Sequence, residues 1–188
     1  MKVLVLFEMS GRVRESFIKK GHYAISVDLQ DSLIPGNHIK ANVYDLDIEW
    51  IKTFDMIIAF PPCTYFSLAG NRWYVNNPDR YRLLDESIKL VNYIWSLPVN
   101  RICMENPSTG KLKNYIPISQ EIQPYWFGEN YAKKTGLWLK NLPPLFPTDI
   151  NLNYIKSWTQ HKMGSGIKRS ITPWGLAYAM ADQWNHLF

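Results

Sequence analysis

Apolar positions in the first half of this chain fall in short unbroken runs, separated by stretches of helical period. Val3-Leu4-Val5-Leu6-Phe7 is a continuous run of strand type, and a turn follows at Ser10-Gly11. Val13, Phe17 and Ile18 then recur at helical spacing until Gly21 stops the helix. Tyr23–Val27 reads as the second strand, closing on Asp28, and Ala41–Asp47 carries the chain on through Val43 to Asp45-Leu46. Met56–Phe60 is apolar and β-branched, a buried parallel strand that Pro61-Pro62 ends abruptly. Arg80–Leu97 places Leu84, Ile88, Val91 and Trp95 on one helical face, with Pro98 as its stop, and Arg101–Met104 is the fifth strand. Ile122–Phe127 and Thr135–Leu139 read as the last strands, and Asn141–Pro147 is a stiff linker. Residues 148–168 read as a loop, and a helix from Pro173 to Trp184 aligns Leu176, Met180 and Trp184. Strands alternating with helices predict an α/β fold, a mostly parallel sheet with helices on both faces.

Two strand ends carry the candidate chemistry. Cys63 sits in a rigid loop where the fourth strand ends, and open α/β sheets bind their ligands at such carboxyl ends. The fifth strand delivers Glu105-Asn106-Pro107 to the same crevice, so a thiol, a carboxylate and an amide converge. Asp28 ends a βαβ unit and is placed to accept hydrogen bonds from two ribose hydroxyls. The turn Phe7-Glu8-Met9-Ser10-Gly11 lacks the glycines of a diphosphate cradle, which argues against a dinucleotide.

The segment Pro61-Pro62-Cys63-Thr64-Tyr65-Phe66-Ser67, continuing to Gly70-Asn71-Arg72, resembles the nucleophile loop of DNA cytosine-5 methyltransferases, Pro-Cys-x-x-x-Ser followed by Gly-x-Arg. Met104-Glu105-Asn106-Pro107 is similar to that family's Glu-Asn motif, and Arg169-Ser170-Ile171-Thr172-Pro173 to its late Arg-x-Leu-Thr-Pro motif. More closely, the chain resembles small methyltransferase-like proteins of phage genomes. The resemblance implies a Rossmann-like, S-adenosylmethionine-dependent methyltransferase fold acting on DNA, either as a duplex with a flipped base or as a single strand. It implies catalysis by Cys63, Glu105 and Asn106. The cofactor would be held by Phe7, Ser10, Gly11, Asp28, Asp45, Leu46 and Pro62, and nucleic acid by Ser67, Arg72, Lys133, Lys134 and Arg169. Asp45 serves equally well as a turn cap. Lys133 and Lys134 stand where the family carries Gln-x-Arg-x-Arg, keeping the charge without the guanidinium fork. The family's Gly-Asn-Ala-Val segment near the terminus is missing.

A chain of 188 residues with 46% hydrophobic content suits a single domain: 1–110 as the cofactor and catalytic core, 111–169 as a basic face, and 170–188 as a helix packing back. Residues 1–110 hold twelve Lys/Arg and twelve Asp/Glu, whereas 111–169 hold nine and three. Trp126, Tyr131, Trp138, Tyr154 and Trp158 interleave with that excess, which points to a nucleic-acid face. The interval from Leu139 to Arg169, about thirty residues, is too short for the separate target-recognition domain of larger family members. Sequence preference is therefore expected to be short or relaxed, unless a partner protein or a homodimer supplies the reader. Cys63 and Cys103 lack CxxC spacing, which suggests a reduced, cytoplasmic protein, and four scattered histidines give a metal site little support. No apolar run approaches the ~20 residues of a membrane span, and the N-terminal run is too short for a signal-peptide core.

Three other readings compete. An amino-group methyltransferase needs [Asp/Asn/Ser]-Pro-Pro-[Tyr/Phe/Trp], and Phe60 and Cys63 occupy the outer positions here. A silent relative that binds only nucleic acid or a defence protein would have no use for Cys63 and Glu105. Modification of a free pyrimidine nucleotide stays open.

Overall fold

The computed structural model describes residues 1–67, 77, 79–154 and 170–187. One seven-stranded sheet organises them, in the order β3-β2-β1-β4-β5-β7-β6. The strands are β1 (Lys2–Leu6), β2 (Tyr23–Asp28), β3 (His38–Lys40), β4 (Met56–Ala59), β5 (Arg101–Pro107), β6 (Gln120–Ile122) and β7 (Thr135–Lys140). β1 pairs in parallel with β2 and β4, β2 with β3, and β4 with β5, while β7 runs antiparallel to both β5 and β6.

Alternation along the strands sorts side chains onto two faces. Leu4, Leu6, Ile57, Ala59, Ile102 and Met104 pack with α2 (Ile48–Ile51) and α3 (Asp79–Ser96). Val3, Val5, Met56, Ile58 and Cys103 face the other way, onto α1 (Arg12–Lys19) and α4 (Trp174–Gln183). β1 and β4 are buried on both faces, which is why their sequences are unbroken apolar runs. The mostly parallel α/β sheet with helices on both faces, expected from the alternation of runs and periodic segments, is the one observed, and it is Rossmann-like as the resemblance implied. α1 and α4 dock on each other, and α4 also closes on the segment after β6, where a Cβ added at Gly175 would lie 1.7 Å from the Phe127 carbonyl oxygen.

Some boundaries differ from expectation, for local reasons. The third strand is His38–Lys40, and Val43–Asp45 is a 3-10 turn in which the Tyr44 amide donates to the Asn42 side chain (3.1 Å). The Ile122–Phe127 run stops being strand at Ile122, because Pro124 has no amide to donate and starts a 3-10 turn through Trp126. β5 runs on through Glu105 and Asn106, since β7 pairs with it as far as Pro107–Thr135. Trp138 lies in the core, where its indole donates to the Ile116 carbonyl (2.8 Å), rather than on a nucleic-acid face.

Candidate active site

The chain order changes direction at β1 and β4, and a crevice opens at the carboxyl ends of those strands. The loop after β4 is fixed from several sides. The Phe66 and Ser67 amides both donate to the Cys63 carbonyl (3.1 and 2.9 Å), folding 63–67 into a tight turn. The Asn106 Nδ2 donates to the Pro61 carbonyl (2.9 Å), so the fifth strand grips the fourth strand's loop directly. Asn106 is buried, and its Oδ1 has no partner. Arg80 donates to the Thr64 carbonyl (3.3 Å) and lies over the Tyr65 ring at 5.1 Å. The Lys111 amide holds the Phe66 carbonyl (2.8 Å).

Cys63 and Glu105 line one cavity of about 120 Å³, together with Phe7, Phe60–Pro62, Tyr131, Lys133 and Ser170–Pro173. Cys63 is exposed as a residue, yet desolvation of its thiol, reinforced by the Glu105 charge, raises its pKa, while Lys133 works to lower it. Burial raises the Glu105 carboxyl in turn, with Lys133 again opposing. The arrangement favours a protonated acid beside a thiol, with one cation in reach of both. A protonated Glu105 also removes the negative charge that resists thiolate formation at Cys63.

On the other side of Phe7 lies a smaller hollow of about 30 Å³, walled by Leu6, Phe7, Val27, Asp28, Leu29, Ala41, Asn42 and Val43. Phe7 is thus the partition between the two spaces. Its φ of 58° is in the left-handed region, costly for a bulky residue, and its amide is tied to the Val27 carbonyl at 2.7 Å. Asp28 is half-buried and accepts the Gln30 amide through Oδ1 (2.9 Å). Asn42, absent from the sequence-derived set, lines the hollow. Asp45 is exposed in the 3-10 turn beyond it, and Leu46 packs against the core.

The turn before α1 holds its shape without a run of glycines. Buried Glu8 accepts from the Ser10 hydroxyl (2.8 Å) and the Val13 amide (2.9 Å), doing at the helix start what a capping residue does. Gly11, at φ 74°, supplies the left-handed position directly before α1. Burial raises the Glu8 carboxyl, and its Oε2 has no partner. Neither Glu8 nor Arg14 stands out in the sequence, because a charged side chain near a helix start reads as solvated.

The basic candidates separate. Lys133 lines the cavity with Cys63, whereas Lys134 faces outward, 3.8 Å from Glu121. Ser67 is half-buried at the end of the nucleophile turn. Arg72, Arg169 and Trp158 lie outside the described residues. Tyr131, expected on the basic face, is buried in the cavity wall, and Tyr154 stacks on Tyr125 at 3.9 Å. The Ser170–Pro173 segment also lines the cavity, although sequence alone marks it only as a motif. No cluster of metal-ligating side chains occurs among the described residues, and none of their helices is long and apolar enough to cross a membrane.

No protein-family model matches the chain. Over 166 residues it is 28% identical to a Frog virus 3 (isolate Goorha) protein described as a probable DNA (cytosine-5)-methyltransferase, covering 73% of this chain and 70% of the viral one. Among solved structures it is similar to the methyltransferase EhMeth of Entamoeba histolytica, with a TM-score of 0.48 and 16% identity, over 83% of this chain and 57% of that one. It is similar also to the Dnmt2 methyltransferase of S. pombe, with a TM-score of 0.48 and 16% identity, over 92% of this chain and 58% of that one. The chain therefore spans under two thirds of the length of either solved relative. In sequence, its likeness is to a cytosine-5 methyltransferase.

Proposed function

We propose that this chain transfers a methyl group from S-adenosylmethionine to C5 of cytosine in DNA, through a covalent bond between Cys63 and the base. The observation that carries the reading is the single cavity in which Cys63, Glu105 and Lys133 meet, with Phe7 dividing it from a second hollow beside Asp28. The viral relative's description points the same way.

The second hollow fits the adenosine part of the cofactor. Its walls are mainly apolar, its polar side chains are Asp28 and Asn42, and the preceding turn has no glycine-rich phosphate cradle. Asp28 would take the ribose hydroxyls, Phe7, Leu29 and Val43 the adenine faces, and Asn42 an edge of the ring, with Ser10 and Gly11 of the first turn and Pro62 of the cavity wall completing the set. Bound S-adenosylmethionine supplies an electrophilic sulfonium methyl group.

Cytosine C5 is a weak nucleophile, and the protein's work is to activate it. The Cys63 thiolate adds to C6, and the π pair of the C5–C6 bond moves onto C5; C5 would then take the methyl group, the pair of the broken methyl–sulfur bond staying on sulfur as a neutral thioether. Glu105 donates its proton to N3, so the ring does not have to carry the added electron pair as a full negative charge. Lys133 offsets negative charge at the Cys63 thiolate before it adds to the base. Loss of the C5 proton to solvent reforms the C5–C6 double bond and expels the thiolate, and N3 returns its proton to the Glu105 carboxylate. Asn106 holds the Pro61 carbonyl and so keeps the nucleophile loop in register with Glu105. A base stacked in a duplex is out of reach of such a crevice, so the target enters flipped or from a single strand. Ser67, which follows the nucleophile in the same turn, and Lys134, beside Lys133, would hold the backbone, where contacts position without reading sequence.

DNA carrying 5-fluorocytosine tests the reading, because fluorine does not leave as a proton does. In the presence of S-adenosylmethionine the wild type should give a denaturation-resistant protein–DNA band that Cys63→Ser lacks. Native DNA binding without any such band would refute the C5 mechanism.

A further inference from the structure

Helices α1 and α4 meet on a face that the chemistry above leaves unused. Arg12 donates from Nη1 to the Thr172 carbonyl (3.0 Å), and its guanidinium lies 5.2 Å from the centre of the Trp174 ring. Further along α1, the Lys19 Nζ lies 5.4 Å from the centres of both the Trp174 and the Tyr178 rings, and it donates to the Tyr178 hydroxyl (3.4 Å). The two rings stack on each other, with centres 5.3 Å apart and planes 19° from parallel. Lys20 then pairs with Asp182. The partners advance along both helices together, so α1 and α4 run side by side in one direction. Thr172 lines the catalytic cavity and Trp174 opens α4 two residues later. The row of rings and cations therefore starts at the cavity wall and leads away from it.

This row is surface rather than core. α4 buries Leu176, Ala177, Ala179, Met180 and Ala181, whereas Trp174, Tyr178 and Asp182 recur every fourth residue on its outer side. Tyr178 is 44% exposed, Lys19 is exposed and Trp174 is half-buried. The acids on these helices are engaged, Asp182 by Lys20 and Glu15 by Arg14, and neither Arg12 nor Lys19 forms a salt bridge among the described residues.

We propose that this row holds the unpaired nucleic-acid strand flanking the target base, Arg12 and Lys19 taking its phosphates and Tyr178 stacking on a base. The proposal rests on DNA as the substrate and extends the protein's contact with it beyond the cavity, to residues outside the motifs. A nucleic-acid strand is the ligand that uses both features, because each step carries a negative charge and a flat base. Cations already ordered over ring faces lose little side-chain freedom on binding. A base delivered to Cys63 leaves its neighbours to continue past the cavity, and on the Ser170–Pro173 side the row continues that wall.

Fluorescence anisotropy with two single strands of DNA separates this surface from the cavity. One strand of about six nucleotides, centred on cytosine, fills the cavity, and another of about twenty continues past it. The wild type should bind the longer strand about tenfold tighter. Lys19→Gln should weaken the longer strand about fivefold and cut the slope of log affinity against log salt by about 0.7, one phosphate's share, while binding the short strand within about twofold of the wild type. Lys19→Arg should restore the longer strand, and Tyr178→Leu should cost it about fivefold through lost stacking. Lys20→Gln, whose charge Asp182 already holds, should match the wild type on both strands. Equal losses on the two strands from Lys19→Gln would mean that the row only braces α1 against α4, and would overturn the proposal. So would a wild type that binds the two strands equally, or only the corresponding duplex, and either result leaves the methyl-transfer reading standing. A wild type that binds neither strand nor duplex would remove the DNA reading itself, and this surface with it.

Discussion

Arg14 is the side chain whose loss should be felt furthest. It is fully buried, and its guanidinium ties α1 to the segment between β2 and β3. Nη1 donates to the Ser26 hydroxyl (2.9 Å), the Ser32 hydroxyl (3.2 Å) and the Asn37 carbonyl (3.4 Å). Nη2 donates to the carbonyls of Ile34 (2.6 Å) and Pro35 (3.4 Å), and Nε pairs with Glu15 at 3.0 Å. Arg14→Met keeps the length of the aliphatic stem and removes every donor. Hydrogen bonds from a charged donor are worth ~1.5–3 kcal/mol each. Ser26 keeps a second partner in His38 (2.9 Å), and the Ile34–Asn37 carbonyls lie near enough to solvent to rehydrate, so much of that sum returns. We therefore expect a loss of about 3 kcal/mol, the low end for breaking a buried charged network. That corresponds to a fall in Tm of roughly 6–12 °C for a domain of this size. The same segment begins at Leu29, a wall of the hollow beside Asp28, so affinity for S-adenosylhomocysteine should drop with stability. Arg14→Lys retains the charge without the fork and should fall between. Urea unfolding with amide exchange on residues 30–37 measures both effects. An Arg14→Met midpoint within about 1 kcal/mol of the wild type, with unchanged protection in that segment, would refute the reasoning.

Three further outcomes follow from the site. Burial raises the Glu105 carboxyl above its ordinary value, so the folded state holds that proton to higher pH than the unfolded chain does. The resulting stability is fully present below the unfolded value and is lost as pH rises through the folded one. Glu105→Gln should therefore melt above the wild type at alkaline pH, with the gap closing in acid, and a gap that ignores pH would contradict the assignment. Asp28→Ala should weaken S-adenosylhomocysteine by ~1.5–3 kcal/mol, and Asn42→Ala should cost more affinity than Asp45→Ala, all by calorimetry. Equal affinity in all three variants would remove the second hollow as the adenosine site. Finally, the described part of the Leu139–Arg169 interval runs beside Pro124–Phe127 through backbone bonds such as Asn151 to Tyr125 (2.9 Å), and adds no second core. Bisulfite sequencing of treated DNA should show a preference no longer than about a dinucleotide, because phosphate contacts and stacking carry little sequence information. A modified motif of four or more fixed bases, made by the protein alone, would show otherwise.

The sheet was legible because its inner strands are buried on both faces and so announce themselves as unbroken apolar runs. β1 and β4 stand within a residue of where Val3–Phe7 and Met56–Phe60 put them. β3 and β6 were harder, each being three residues long at a sheet edge, where pairing on one side alone selects no strong hydrophobic pattern. Trp138 shows the opposite failure. It stands between lysines in a basic stretch, but β7 is buried on both faces from Thr135 to Trp138, and Lys140, on the same face two positions on, is half-buried at the sheet's margin.

Within the site, sequence located the groups that sit on strand ends and missed those that act through long side chains. Cys63 and Glu105 are placed by β4 and β5 themselves, so knowing where the strands stop suffices to bring them together. Lys133 and Lys134 are neighbours of the same type, yet extended backbone sends successive side chains to opposite sides, and only the first lines the cavity. Glu8, Arg12 and Arg14 depend on directions that no periodicity encodes, because each reaches a partner on another turn or element. In the first turn, with Gly11 as its one glycine, Glu8 receives the Val13 amide and Arg14 fixes the segment that follows β2. Arg12 holds the Thr172 carbonyl and so ties the cavity-lining Ser170–Pro173 segment to α1. Charged side chains thus fix the turn and the cavity wall one contact at a time. The consequence is physical: a turn held by a buried carboxylate and a guanidinium is more sensitive to pH and substitution than one held by glycine.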